Sequence, residues 1–251
     1  MTLTDNDIQV LTPHQYDILT PSERQHKIVL DIDDKKYIEY ISRKFEHSNS
    51  KTIQKIQRDF GLGYQNFITI IGRGQSGKSV AGLNFLIWRN QTIDINRYIS
   101  YSMIDYLTKN TSNFKKYIML EEAQRVMRSH STAKLQEIGN IFIDFFQTDP
   151  YLQNSTIITE PSIRLLSILK SHITLLLSAI ARGVFNIYVP RWHINSSRIL
   201  WKNTKERLYT YPLSQNLYET YEKLSYTSKQ KLLNDDKQTI KTLLDLDNPF
   251  I

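Results

Sequence analysis

Residues 67–79 read Phe-Ile-Thr-Ile-Ile-Gly-Arg-Gly-Gln-Ser-Gly-Lys-Ser and carry the clearest structural pattern in the chain. Its first five residues form a compact β-branched run, which is typical of a strand buried on both faces of a sheet. The glycines that follow predict a tight turn, and the apolar run from Val80 to Arg89 predicts a helix after it. A buried strand, a glycine-rich loop and a helix in this order indicate an α/β protein.

The loop from Gly72 to Ser79 fits the Walker A pattern, G-x-x-x-x-G-K-[ST]. Glycines let backbone N–H groups point inward at phosphate oxygens, and the following helix directs its positive dipole end at the same anion. We expect Lys78 to reach the β- and γ-phosphates and the hydroxyl of Ser79 to bind Mg²⁺. The alternative is a glycine turn with an idle lysine. The predicted cofactors are ATP and Mg²⁺, and the predicted nucleotide contacts are Gly72, Arg73, Gly74, Gln75, Ser76, Gly77, Lys78, Ser79 and Val80.

A second buried strand, predicted over residues 117–120, delivers two acids at its carboxyl end, Glu121 and Glu122. A strand with this ending resembles Walker B, in which one acid holds Mg²⁺ and another polarises the attacking water. We therefore predict Glu121 as a metal contact through water, and Glu122 and Lys78 as catalytic residues. In the alternative interpretation, the two acids open a surface helix, where the helix dipole favours negative charge.

The next strand, predicted over residues 154–159, ends in the polar sequence Thr159-Glu160-Pro161. A polar side chain at this position can lie beside the γ-phosphate and sense hydrolysis, so Thr159 and Glu160 are the predicted sensors; the alternative is a plain turn. Phosphoryl transfer also uses an arginine that stabilises the transition state. The sequence leaves the choice open between Arg125, Arg128, Arg164 and Arg182.

The remaining pattern alternates strands and helices, which favours a largely parallel sheet. Arg182-Gly183 lies between two apolar runs and predicts a β-hairpin. We expect one helix within residues 1–50, a short helix over 51–60, strands over 97–100, 172–179 and 184–189, a helix over 103–109, and helices after Pro212. The chain is accordingly divided into an amino-terminal arm or helical leader (1–60), an ATPase core (61–200) and a carboxy-terminal helical extension (201–251).

Composition narrows the class of protein. The 251 residues include no cysteine, which excludes a disulfide framework, a zinc–thiolate site and a thiol nucleophile. The net charge of +7 is compatible with nucleic-acid binding. No apolar run reaches the roughly 18 residues of a spanning helix, and residues 1–7 lack the basic-then-apolar layout of a secretory signal. We expect a soluble, cytoplasmic protein without a membrane span.

One segment combines cations with aromatic side chains. Residues 182–207 hold six lysines and arginines against a single acid, Glu206, with aromatic residues interleaved. Cations bind phosphates and aromatic rings stack on bases, so this mixture suits nucleic acid. The alternative is a hairpin that packs its aromatic side chains into the core and points its cations outward. The nucleic-acid candidates are Arg182, Arg191, Trp192, Arg198 and Lys202.

The order of these motifs resembles small archaeal and viral P-loop ATPases akin to the FtsK–HerA superfamily of DNA pumps, within the additional-strand catalytic-Glu class. The likeness covers residues 60–185 and rests on the glycine loop, on Leu120-Glu-Glu-Ala-Gln124 and on Ile158-Thr-Glu-Pro-Ser162. HerA-like members often carry Asp-Glu-Ala and Thr-Gln at the last two places, so this chain has Glu121 for the aspartate and Glu160 for the glutamine.

The resemblance implies a P-loop NTPase fold of the RecA/ASCE-like kind: a mainly parallel sheet flanked by helices, with a β-hairpin and carboxy-terminal helices. It also implies a ring-forming homo-oligomer that acts on DNA. The layout is similar to the small ATPases of spindle-shaped archaeal viruses as well, which implies a prokaryotic cytoplasm and a viral or plasmid origin.

Three functions follow from this reading. The leading hypothesis is a nucleic-acid-dependent ATPase that works as a DNA translocase or remodelling motor. The second is an initiator- or loader-type ATP switch in replication, and the third is a nucleotide-binding regulatory subunit with little turnover. A GTPase is disfavoured because the chain lacks the Asn-Lys-x-Asp motif that reads guanine.

Overall fold

The computed structural model describes residues 8–20, 22–25, 27–121, 152–161, 172–193 and 198–246. These residues form an α/β structure with a mainly parallel seven-stranded sheet flanked by helices, and a parallel three-stranded sheet beside it. The strands are β1 (Ile8–Leu11), β2 (Lys27–Leu30), β3 (Phe67–Ile71), β4 (Ile99–Ser100), β5 (Tyr117–Leu120), β6 (Ser155–Glu160), β7 (Leu175–Ala181), β8 (Val184–His193), β9 (Arg198–Tyr209) and β10 (Leu213–Ser214). The helices are α1 (Pro13–Asp17), α2 (Asp34–Glu46), α3 (Lys51–Gly61), α4 (Lys78–Asn90), α5 (Met103–Thr111) and α6 (Gln215–Leu246).

The large sheet has the strand order β4-β5-β6-β3-β7-β8-β9. Its first five strands are parallel, and β8 and β9 extend it as antiparallel strands. The register pairs Ile71 with Glu160 and Leu120 with Ile158, so β3, β5 and β6 end along one edge. In α/β proteins this carboxyl edge is where ligands bind.

Helix α4 is buried on nearly all sides because it lies between the large sheet and α2. Its side chains Phe85 and Trp88 are almost inaccessible, and Phe45 of α2 stacks on Trp88 with 4.5 Å between ring centroids. Gly82 lets the helix approach the sheet, since a Cβ there would lie 2.7 Å from the sulfur of Met119. This packing fixes the start of α4 against the carboxyl edge of the sheet.

The strands predicted over 67–71 and 117–120 are confirmed with the same bounds. The hairpin at Arg182-Gly183 is confirmed as well, with a return strand that runs on to His193. The helix after the glycine loop begins two residues earlier than predicted, at Lys78. None of the helices in the described ranges has the length and apolar character that crossing a bilayer requires.

The expectation of one helix within residues 1–50 is wrong. This segment contains β1, α1, β2 and α2, and β2 pairs with β10 near the other end of the chain. The hydroxyl of Tyr16 donates to the carbonyl of Thr210 (3.3 Å), and that of Tyr37 donates to the carbonyl of Pro212 (3.1 Å). Sequence analysis missed both strands because each has only four residues and because β2 takes its second partner, β10, from near the other end of the chain.

The carboxy-terminal segment also differs from the expectation. Strand β9 crosses residue 200 and continues to Tyr209, so residues 201–209 are not helical. The helical prediction after Pro212 is confirmed from Gln215, as one long helix rather than several in the described residues. The division of the chain into three parts stays a prediction.

Candidate nucleotide-binding site

The glycine loop lies at the carboxyl end of β3 and leads directly into α4. Gln75 and Gly77 have left-handed backbone conformations, with φ of 60° and 85°. Position 77 requires glycine for a second reason: a Cβ there would lie 3.1 Å from the backbone nitrogen of Gly183. That nitrogen donates to the carbonyl of Ser76 (3.0 Å). The tip of the β7–β8 hairpin therefore supports the loop directly.

The first turn of α4 receives no hydrogen bond from the side chain of its N-cap residue. Gly77 is the N-cap residue and has no side chain that could accept from the N–H groups of the turn. Such N–H groups and the helix dipole favour an anion at this position. The ammonium of Lys78 bends back over the loop, where it donates to the carbonyls of Gly72 (2.7 Å) and Arg73 (2.8 Å).

Ser79 and Glu121 meet where α4 begins and β5 ends. The Ser79 hydroxyl donates to Oε1 of Glu121. The Tyr221 hydroxyl donates to the same oxygen (2.7 Å), and the Tyr101 hydroxyl donates to Oε2 (3.1 Å). The Glu121 side chain is buried, with 1% of the residue exposed. Burial raises the pKa of Glu121, and the hydrogen bonds from the three hydroxyls oppose that increase.

A serine hydroxyl beside a carboxylate is a suitable donor set for Mg²⁺, which prefers hard oxygen ligands. No group of three or more histidine, cysteine, aspartate and glutamate side chains that could hold a metal occurs in the described parts of the chain. Ser79 and Glu121 would therefore hold Mg²⁺ together with phosphate oxygens and waters. That is the usual situation of this ion at nucleotide sites.

Glu160 ends β6, the strand between β3 and β5. Its backbone carbonyl accepts from the nitrogen of Gly72 (3.1 Å), so it adjoins the start of the loop. Its side chain is fully buried, and neither carboxyl oxygen has a hydrogen-bond partner among the residues that the structure describes. Burial raises the pKa of Glu160 to about 8. The carboxyl is therefore mainly neutral at pH 7.

A cavity of about 690 Å³ opens between the loop, the hairpin tip, the small sheet and α6. Small-molecule sites typically have volumes of about 300–1,000 Å³. Of the described residues, five cations and one acid line this cavity, so it favours an anionic ligand. Tyrosines supply much of the remaining wall. The charged lining residues are Arg24, Lys27, Lys78, Arg182, Lys229 and Glu222.

The structure brings most of the predicted site residues together. Gln75 to Val80 line the cavity. The first part of the loop, from Gly72 to Gly74, does not line it. The two predicted sensors, Thr159 and Glu160, are buried at the same edge of the sheet. Glu122 lies outside the described residues, as do three of the candidate arginines, namely Arg125, Arg128 and Arg164.

Arg182 is separated from the other nucleic-acid candidates. It lies at the hairpin tip and lines the cavity, whereas Arg191 and Lys202 lie farther along the β8–β9 hairpin and are exposed. Arg191 pairs with Leu200, and Lys202 pairs with Val189. Because opposed residues point to the same face of a sheet, Arg191 and Lys202 share one face.

The opposite face of this hairpin is apolar. Trp201 and Tyr188 lie there and pack against the buried cluster that contains Phe67. This part of the hairpin matches the alternative in which aromatic side chains pack inward and cations point outward. The side chains of Trp192 and Arg198 lie outside the described part of the chain.

Sequence analysis missed the role of two tyrosines. Tyr101 follows a two-residue strand, and Tyr221 lies on the apolar face of α6 beside Leu217. Nothing local distinguishes these residues from ordinary core tyrosines. What distinguishes them is that both hydroxyls donate to the predicted acid Glu121, and only the three-dimensional structure shows this.

Comparison of the sequence with protein-family models gave no match, and a search among curated proteins gave no similar sequence.

Proposed function

We propose that this protein is a P-loop ATPase that binds ATP with Mg²⁺ at the Gly72–Ser79 loop, hydrolyses it, and works on DNA as a homo-oligomer. The observation that carries the proposal is the contact between Ser79 and Glu121. A loop of the Walker A pattern ends in a hydroxyl that touches a buried carboxylate from another strand. This is the arrangement that a nucleotide-bound Mg²⁺ requires.

The order of the strands supports a P-loop NTPase fold. Strand β3 leads into the glycine loop and β5 leads to Glu121, and β6 lies between them. An extra strand between these two is what the additional-strand class implies. The charge and size of the cavity support a nucleoside triphosphate as its ligand.

Hydrolysis at this site would begin with attack of water on the γ-phosphorus. The bond from that phosphorus to the β–γ bridging oxygen breaks, and ADP and inorganic phosphate leave. Glu122 takes the proton of the water, as predicted from the sequence. Lys78 and Arg182 line the cavity and suit the negative charge that spreads over the phosphate oxygens.

The proposed DNA partner rests on charge. The chain has a net charge of +7, and Arg191 and Lys202 lie on one exposed face of the β8–β9 hairpin. Cations of this kind bind phosphates without reading sequence. A motor needs a contact that tolerates any sequence.

The test is ATP hydrolysis by the purified protein with and without single- and double-stranded DNA. We expect DNA to stimulate turnover, and we expect Lys78→Ala and Glu122→Gln each to abolish it. Lys36→Ala is the matched control, because that side chain is 75% exposed on α2 and should leave turnover intact. Absence of ATP binding by the unmodified protein would overturn the proposal. Binding without turnover in either condition would leave the regulatory subunit.

A second candidate is the initiator- or loader-type ATP switch. It is favoured by the hydrogen bond from Tyr221 to Glu121, since a carboxy-terminal helix that contacts the acid could change position with the nucleotide. Processive movement along DNA, measured on long duplexes, would support the motor. Slow turnover coupled to assembly without movement would support the switch.

A further inference from the structure

Helix α6 reaches the predicted magnesium site from the far end of the chain. Tyr221 is 7% exposed, and its hydroxyl donates to Oε1 of Glu121 at 2.7 Å. Leu217, one turn earlier, is 1% exposed and packs in the main core cluster. The first turns of α6 are therefore docked firmly enough to hold a side chain in a defined place.

Tyr221 is one of several residues on the same face of α6 that lie near the glycine loop. Ser225 and Lys229 follow Tyr221 at intervals of four residues and thus lie on the same face. Both line the cavity with the glycine loop. Ser225 is buried, and the charge of Lys229 acts on Glu121.

The hydrogen bonds around Glu121 leave it little freedom. A carboxylate has about four positions at which it can accept. Ser79 and Tyr221 take the two on Oε1, and Tyr101 takes one on Oε2. Among the described residues, no donor takes the fourth position, on Oε2, which a water on the metal would use. The hydrogen bond from Tyr221 thus leaves Oε2 as the oxygen that such a water would contact.

We propose that Tyr221 is a positioning residue that holds Glu121 in the orientation needed for Mg²⁺, so that docking of α6 and binding of the magnesium–nucleotide complex favour each other. This proposal rests on the proposed function. The coupling is reciprocal: if docking of α6 increases the affinity for the metal, the bound metal stabilises the docked position of α6 by the same free energy.

The first experiment is titration of ATP into the protein in Mg²⁺ and, separately, in EDTA, with Tyr221→Phe and Tyr106→Phe as variants. Tyr106 is the matched control, since it is fully buried and its hydroxyl lies 2.6 Å from that of Thr156. In EDTA we expect all three proteins to bind alike. In Mg²⁺ we expect the unmodified protein and Tyr106→Phe to gain affinity equally, and Tyr221→Phe to gain about tenfold less.

Three outcomes overturn the proposal. The first is a full magnesium gain in Tyr221→Phe. The second is an equal loss in Tyr106→Phe, which would indicate general loosening. The third is weaker binding of Tyr221→Phe in EDTA as well, which would make Tyr221 a contact of the nucleotide itself. If the unmodified protein binds no ATP, it is the proposed function that fails, and the two failures are therefore distinguishable.

The second experiment needs no variant. Amide hydrogen exchange of the unmodified protein is compared at saturating ATP in Mg²⁺ and in EDTA. We expect Mg²⁺ to slow exchange over residues 215–230 more than over α3, which contributes no residue to the cavity. Equal exchange over residues 215–230 in the two conditions would overturn the proposal.

Discussion

Glu121 and Glu160 follow or end adjacent parallel strands at the same edge of the large sheet, and both are almost completely buried. Their surroundings differ completely. Glu121 accepts from three hydroxyls, whereas neither carboxyl oxygen of Glu160 has a partner in the described residues. Burial raises the pKa of both, but hydrogen bonds oppose the increase at Glu121 alone.

The two carboxyl groups also face opposite sides of the sheet. Glu121 contacts Ser79 of α4, and Ile157 faces α4 as well, since it lies near Gly82. Because side chains alternate along a strand, Glu160 faces away from α4. Burial therefore does not by itself distinguish the two acids; the hydroxyl groups around the carboxylate of Glu121 do.

The largest expected effect comes from removing the negative charge of Glu121, the acid that accepts hydrogen bonds from three hydroxyls. Glu121→Gln keeps the size of the side chain and loses its attraction for Mg²⁺. We expect magnesium-dependent turnover to fall about a hundredfold or more, since metal stabilisation is worth several kcal/mol. Glu222→Gln is the control, because it removes the one acid among the described residues that line the cavity and leaves the three hydroxyls that bond Glu121 in place. Equal turnover in the two variants would refute the assignment of Glu121.

The second prediction concerns Glu160, whose carboxyl oxygens have no hydrogen-bond partner among the described residues. The pKa of about 8 that Glu160 has in the folded protein lies above the ordinary glutamate value of 4.5, so between these pH values the folded protein holds a proton that the unfolded chain has lost. The contribution of Glu160 to stability is thus fully present below about pH 4.5 and is lost as the pH rises towards 8, at up to about 1.4 kcal/mol per pH unit. Glu160→Gln should remove this dependence and be the more stable protein at pH 8.

Urea unfolding at pH 5, 6.5 and 8 measures this effect. Glu39→Gln, which changes an exposed glutamate on α2, serves as the control. Parallel stability profiles for the unmodified protein and Glu160→Gln would contradict the assignment of a neutral buried carboxyl.

The smallest expected effect comes from removing one of the three hydroxyl groups that donate hydrogen bonds to Glu121. Tyr101→Phe removes the hydrogen bond to Oε2 and leaves the ring in its place. We expect the free energy of unfolding to fall by about 1–2 kcal/mol, as for the loss of one hydrogen bond to a buried acceptor. Tyr64→Phe, at a side chain that is 63% exposed, should change it by much less. An unchanged unfolding midpoint for Tyr101→Phe would contradict the three-hydroxyl arrangement.

The sequence predicts the centre of this fold well because its signals there are local. Residues 67–71 and 117–120 are short apolar runs between polar or glycine segments, which is the pattern of buried parallel strands. The sequence also predicts both acids as site residues. It does not predict their different surroundings, since one of the three donors to Glu121 is Tyr221, which comes from a helix 100 residues away along the chain.

The small sheet could not be predicted for a related reason. Strands β1 and β2 are only four residues long, which is too short to show a clear apolar alternation. Strand β2 also pairs with β10, and this pairing spans most of the chain. Register of this kind is determined by tertiary packing, which a local pattern does not contain.

The contact between Gly183 and the loop has a mechanical consequence. The β7–β8 turn touches Ser76 and Gly77, while Arg191 lies eight residues along β8, roughly 25 Å away at the usual rise of a strand. The pairing of β8 with both β7 and β9 joins the cations Arg191 and Lys202 to the glycine loop through one hydrogen-bonded sheet. A displacement of the cationic end would reach the loop through a close contact, since a Cβ at Gly77 would lie 3.1 Å from the nitrogen of Gly183.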